Sequence, residues 1–323
     1  MSNMKIIVFI VLFGITIQSD FCLDDFKSIQ LKEILSIGTL NDDLIFFVTS
    51  VVTDDEEFIY LTDSLDCALK KFDKNGILIK KTGRNGQGPG EFQFPVLIEY
   101  CNDMIYVVDQ KRHGIQIFDK DLNYKTQFAF NLPIFDLEGL DDEHIFVLSQ
   151  FLDSFPPILQ LNIININKLT KLDSLKKKPE KNFWKSNGKF EIDNHGNIFF
   201  VSSFEDFIAK FDKDKKLIWE KTLLGGRTAK QKKTKTVIST FPTEMIYKDI
   251  ALDKFGNSFI LGGHVAEHRS RDIYVLDIKG NHLTTFILPE PSHFIYIDKN
   301  NFLYSIAGEG ITLKKYFIEY VEK

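Results

Sequence analysis

The sequence predicts an all-β chain: a six-bladed β-propeller of four-stranded antiparallel blades, closed by an N-terminal strand completing the last blade. Three observations carry this. The chain has 323 residues, 44% hydrophobic and 13% aromatic with 31 Phe, and branched and aromatic side chains suit a pleated, half-buried surface. One unit then recurs: an apolar run, a turn rich in Asp, Asn and Gly, a second apolar run, a polar loop and two further strands. Finally, roughly 300 residues divided among six units leave about 50 each, which fits four-stranded blades.

The first stretch stands outside the fold. Met1 to Lys5 is short and weakly positive, and Ile6 to Ile17 is apolar apart from Gly14 and Thr16. Twelve residues make a helix of roughly 18 Å, short of the roughly 30 Å hydrocarbon core of a bilayer. That is the length of a signal-peptide core, with Gln18, Ser19 and Asp20 as its polar exit. Residues 1–21 are therefore expected to be an export signal and 28–321 the propeller. Export would lead to the periplasm, the cell surface or the medium, without a transmembrane segment in the mature protein. Cys22 raises the question of a lipid anchor, but Asp20 and Phe21 before it fit a lipoprotein signal badly.

The second apolar runs of the units begin at Phe58, Met104, His144, Asn197, Ser258 and Phe302. Third strands end in matching turns at Phe72-Asp-Lys-Asn-Gly, Phe118-Asp-Lys-Asp, Phe211-Asp-Lys-Asp and Leu276-Asp-Ile-Lys-Gly. Asp, Asn and Gly tolerate the left-handed and Asx-turn conformations that tight hairpins require. The last unit offers three strands, Phe294 to Ile297, Phe302 to Ile306 and Thr312 to Phe317. The segment Gln30 to Ile37 has no other role, so it is expected to supply the missing fourth strand and remove an exposed sheet edge.

Between Gly83 and Phe130 the chain reads Gly-Arg-Asn-Gly-Gln-Gly-Pro-Gly-Glu-Phe-Gln-Phe-Pro, then two strands containing Val108-Asp109 and Ile117-Phe118-Asp119. Over these residues it resembles the NHL-repeat six-bladed propellers of exported bacterial proteins; the other five units resemble them in outline. The family's Asn-His-Arg before the third strand reads Arg112, His113 and Gly114 here, which makes Arg112 and His113 candidate contacts. The Gly-rich run lacks the Gly-Lys-Ser/Thr ending of a phosphate loop and Pro89 removes a donor, so it reads as a connector between blades.

Propeller topology sorts the loops. Connections between blades, and between second and third strands, open on one face, where Gly83–Pro95, Phe151–Pro157, Lys176–Lys189, Gly225–Thr243 and Gly262–Arg271 would lie. Loop-rich faces carry binding functions. Eight lysines fall between Lys168 and Lys189, and Arg227, Lys230, Lys232, Lys233 and Lys235 follow without an acid. Asp54–Glu57 and Asp141–Glu143 lie on the opposite face, so a net charge of -5 would conceal a dipole. The binding candidates are Lys176, Lys177, Lys178, Arg227, Lys232 and Lys233, and the partner they suit is an anionic protein or glycan. A total this close to neutral excludes a general nucleic-acid binder.

Chemistry is sparse. His264 and His268 are the weak metal candidates, four apart in a loop, with Glu267 between them; His195 lies in a hairpin turn. There is no Gly-x-Ser-x-Gly, His-Glu-x-x-His or Walker pattern. Cys67 and Cys101 are expected at opposite ends of their blades, hence as free thiols. The resulting expectation is a monomeric binding or scaffold module without a cofactor. The rivals are a metal-dependent lyase or hydrolase with Ca or Zn in the central channel, and a purely structural part of an envelope assembly.

Overall fold

A computed structural model describes residues 26–39, 41–112, 114–130, 132–141, 143–151, 158–165, 170–176, 187–233 and 240–322. The expected leader and Cys22 lie outside them. Blade 1 comprises β2 (Val48–Thr53), β3 (Ile59–Asp63), β4 (Ala68–Phe72) and β5 (Leu78–Thr82). Blade 2 comprises β6 (Pro95–Cys101), β7 (Met104–Asp109), β8 (Gly114–Asp119) and β9 (Tyr124–Ala129). Blade 3 is formed by β10 (Ile134–Asp141), β11 (His144–Phe151), β12 (Ile158–Asn165) and β13 (Thr170–Lys176). Blade 4 is β14 (Gly188–Ile192), β15 (Ile198–Ser202), β16 (Ile208–Phe211) and β17 (Leu217–Lys221). A two-stranded ribbon, β18 (Gln231–Lys233) and β19 (Thr240–Pro242), then precedes blade 5, which is β20 (Tyr247–Leu252), β21 (Ser258–Gly262), β22 (Asp272–Leu276) and β23 (His282–Ile287).

The last blade has the order β1 (Phe26–Ile37), β26 (Thr312–Glu322), β25 (Phe302–Ala307) and β24 (Ile295–Ile297). The first strand of the chain is thus the outermost strand of the last blade, paired antiparallel from Phe26↔Glu322 to Ile37↔Leu313. This is the closure expected from the sequence, and it extends four residues further towards the N-terminus. Apolar packing runs between blades. Six clusters of buried side chains each join two neighbours; one sets Phe259, Leu261 and Val275 of blade 5 against Leu303, Tyr316 and Ile318 of blade 6. No blade could bury these faces alone, which is why the Phe-rich composition requires the ring.

The underside hairpins share one device. In eight of them an Asp donates its backbone N–H to the carbonyl four residues on: Asp54, Asp73, Asp119, Asp193, Asp212, Asp253, Asp277 and Asp298. The residue three after each Asp has a positive φ, and it is glycine at 76, 196, 256 and 280. Asp73 shows the pattern: Oδ1 accepts the amides of Asn75 and Ile77 at 2.9 and 2.8 Å, satisfying donors that the turn would otherwise strand.

Cys67 and Cys101 are free thiols. The ribbon β18–β19 lies within what the sequence suggested was a plain loop. A backbone ladder needs no apolar periodicity, so the polar run gave no strand signal. The lysine run of blade 3 is also divided by β13. Of the lysines within β13, Lys171 stands at the strand end near the underside and Lys176 at the end towards the loop-rich face.

Candidate functional site

The six innermost strands surround a narrow axial cavity of about 40 Å³, room for two or three waters and too small for an organic ligand. It is lined by Glu99, Asp136, Glu138, Glu191 and Asp249, with Lys189 as the one lysine. These side chains sit at alternate positions of β6, β10, β14 and β20, the strand period that points them to one side. Blades 1 and 6 contribute Ser50, Val52, Phe294 and Tyr296 instead, so the carboxyls come from four consecutive blades.

Three carboxyls each tie one inner strand to the next: β6 to β10, β10 to β14 and β20 to β24. Glu99 Oε1 accepts the Gly139 amide at 3.1 Å, Asp136 Oδ2 the Phe190 amide at 2.9 Å, and Asp249 Oδ2 the Ile295 amide at 2.9 Å. Asp136 and Asp249 each follow a register shift near the top of their strand, which re-aims the side chain towards the neighbouring blade. Lys189 Nζ lies 2.8 Å from Asp136 Oδ1.

Glu99, Glu138 and Glu191 are half-buried along the channel wall, and desolvation dominates their titration. Burial pushes the Glu99 carboxyl up to about 8 and the Asp249 carboxyl up to about 7. Glu138 and Glu191 are raised well above the usual range by burial, then by neighbouring carboxylates. Burial opposes the Lys189 charge, but Asp136 and Asp249 outweigh it and hold the ammonium on. Among the described residues no three His, Cys, Asp or Glu side chains gather to hold a metal ion. With Lys189 already beside Asp136, the arrangement does not fit a divalent ion.

Above the channel, on the loop-rich face, the sign reverses. Lys248 follows the first residue of β20, half-buried, and donates to the Ser292 carbonyl at 3.3 Å. His293 stacks on Phe47 with ring centroids 5.9 Å apart, and its Nε2 lies 3.1 Å from the Val48 carbonyl oxygen. Burial lowers the His293 pKa, and the charges of Lys248 and Lys189 lower it further. His264 is also lowered, first by burial and then by Lys248 and Arg269.

The residues singled out from the sequence separate into three groups. Arg227 and Lys232 are exposed on the loop-rich face, where the Arg227 carbonyl accepts the Asp206 amide at 2.8 Å. Arg112 is committed to structure: Nη1 donates to the carbonyls of Gly88 and Glu91 at 2.8 and 2.6 Å, and Nη2 to Gln127 at 3.1 Å. It clamps the Gly-rich connector, in which Glu91 accepts the Gly88 amide at 2.7 Å. Gly83 is obligatory there, since its φ is +99° and a Cβ would fall 2.6 Å from the Phe92 ring. Lys177, Lys178 and His113, and the side chains of Lys176 and Lys233, lie outside the described residues.

His264 and His268 do not act together. His264 Nδ1 accepts the Met245 amide at 3.0 Å, whereas His268 Nδ1 lies 2.9 Å from Asp272 Oδ1. The other Asp272 oxygen takes the His268 amide at 3.0 Å. Sequence reasoning missed the channel carboxyls, Lys189, Lys248 and His293. The available signal was charge at alternate positions of inner strands, as in Asp136-Leu-Glu138 and Lys189-Phe-Glu191.

The described basic residues do not make a uniform cationic face over an acidic underside. Glu205, Glu244, Glu267 and Glu290 share the loop-rich side, and Lys74, Lys120, Lys254 and Lys299 share the underside turns. The positive charge is local, at the channel mouth and along residues 227–232.

No protein-family model matches the chain, and no curated protein matches it in sequence. In structure it is similar to virginiamycin B lyase from Staphylococcus aureus, with 10% identity over 90% of this chain and 99% of that one, at a TM-score of 0.58. It is similar to a member of the duf4221 family from Bacteroides vulgatus, with 12% identity over 93% and 100% of the two chains, at 0.61. BamB from Moraxella catarrhalis matches with 11% identity over 89% and 100%, at 0.50. At such identities the likeness carries the fold alone, and that fold is the six-bladed β-propeller.

Proposed function

We propose that the chain is an exported, monomeric binding module whose loop-rich face contacts an anionic partner, a protein or a glycan. The observation that carries this reading is the placing of Lys248 and Arg269 around the channel mouth, beside His264 and His293, whose pKa values these surroundings lower, continued by exposed Arg227 and Lys232. Among the described residues none of Lys248, Arg227 and Lys232 has a carboxylate within ion-pair distance. The apolar run Ile6–Ile17 supports export, and the resemblance of Gly83–Phe130 to NHL-repeat propellers supports a binding role.

Capture on immobilised polyglutamate and on heparin tests the reading. Binding should weaken as salt rises and be lost in an Arg227→Glu, Lys232→Glu variant; retention by that variant would refute it. The rival reading is a lyase or hydrolase with a divalent ion in the channel; the shared fold of virginiamycin B lyase supports it, and Lys189 beside Asp136 speaks against it. A stoichiometric, tightly held divalent ion in purified protein would establish the rival.

A further inference from the structure

We propose that Lys248, with His293 beside it, is a built site for a small oxyanion, the carboxylate or phosphate group of a ligand, at the loop-rich mouth of the channel. This narrows the anion-contacting reading of that face and rests on it.

The other withdrawn lysines among the described residues all have partners. Lys70 is 1% exposed and lies 2.8 Å from Asp63 and 2.7 Å from Asp66. Lys189 has Asp136, and Lys210 has Asp193 at 3.6 Å. Lys315 rests its ammonium 4.1 Å from the centroid of the Phe302 ring. Each withdrawn cation thus has a carboxylate or an aromatic face, as the cost of desolvating a charge requires.

Lys248 has neither among the described residues. Its one hydrogen bond is to a carbonyl at 3.3 Å, long for a charged donor. Desolvation lowers its pKa with no opposing cause, whereas for Lys210 and Lys315 a carboxylate opposes the same loss. An ammonium has three donors, and two of these remain for a ligand.

The surroundings also select the ligand's charge. His264 and His293 both sense the Lys248 charge, so a second cation would add repulsion and an anion would relieve it. Reaching past the mouth into the channel is restricted by the 40 Å³ cavity. The ligand's acidic group therefore ends at Lys248, with the remainder of the molecule lying over the loop-rich face.

Thermal unfolding of the full chain in sodium phosphate, sodium acetate and sodium chloride at matched ionic strength tests this. Wild type should gain Tm in phosphate or acetate beyond the chloride control, and whichever gives the larger gain assigns the group. Lys248→Met should lose that gain, with apparent affinity down roughly tenfold or more, while its own Tm in chloride stays level or rises because an unpaired charge is gone. Should the variant fail to fold, NMR of wild type with 13C-methylated lysines replaces it, and the Lys248 resonance should move saturably with phosphate or acetate. No anion-specific gain in wild type, an equal gain in Lys248→Met, or an unmoved Lys248 resonance would overturn the site. If the site fails while polyglutamate capture persists, the broader reading of the face stands. Loss of both removes that reading as well.

Discussion

Lys189 Nζ sits 2.8 Å from Asp136 Oδ1 while the other oxygen of the same carboxylate takes the Phe190 amide. Blades 3 and 4 are therefore joined at the channel wall by an ion pair and a hydrogen bond sharing one side chain. Of the five channel carboxyls, only Asp136 has a lysine within ion-pair distance among the described residues.

Removing that lysine leaves a buried carboxylate uncompensated. Lys189→Met should cost about 3–5 kcal/mol at pH 8, measured by chemical denaturation. The cost should be smaller at pH 5, where Asp136 can take up a proton. Adding Asp136→Asn should restore part of the loss, because the amide oxygen can still accept the Phe190 amide. Equal stability of wild type and Lys189→Met at pH 8 would contradict the role assigned to the pair.

The other carboxyls set the pH dependence. A carboxyl whose native pKa is raised keeps its proton where the unfolded chain has lost it. Stability is then full below the unfolded value and falls as pH rises through the native one. For Glu99 that window runs from its ordinary 4.5 to about 8, and for Asp249 from 3.8 to about 7. Tm should therefore decline between about pH 5 and pH 8. Glu99→Gln, which keeps the acceptor for Gly139, should flatten the decline. A Tm that rises across this range would refute the account of the channel.

The underside turns are load carriers through their aspartates. Asp253 accepts the amides of Phe255 and Asn257, the Asn257 side chain at 2.7 Å and the Tyr320 hydroxyl at 2.7 Å. Asp253→Ala should cost about 2–3 kcal/mol by stranding several donors, while Tyr320→Phe should cost about 1 kcal/mol. Denaturant midpoints check both, and an unchanged midpoint in Asp253→Ala would count against the turn's role.

Closure by β1 should be essential. It contributes Ile29 and Ile37, both buried, each stabilising by about 1.5–3 kcal/mol, and it covers the edge of β26. A chain lacking residues 1–37 should lose its cooperative transition or self-associate through the freed edge. A monomer with wild-type Tm would show that the ring does not depend on this strand.

The blades were legible because their signals are local. Apolar runs at strand spacing, and Asp-x-x-Gly turns such as Asp73–Gly76 and Asp253–Gly256, repeat at blade intervals. The closing strand was legible by elimination. The channel was not, because Glu99, Asp136, Glu138, Lys189, Glu191 and Asp249 come from four blades and meet only when the ring forms. Arg112 misled for a related reason: sequence places it near a family contact position, and only the fold shows it spent on Gly88 and Glu91. Lys248 gave no signal, since its distinction is the lack of a carboxylate or aromatic partner in space among the described residues.

The most direct measurement is an anomalous difference map from crystals soaked in sodium selenate, a tetrahedral oxyanion. The account predicts a selenium peak within about 4 Å of Lys248 Nζ, a charge-assisted contact distance, at the loop-rich mouth of the channel. A map with selenate bound elsewhere and none beside Lys248 would contradict it.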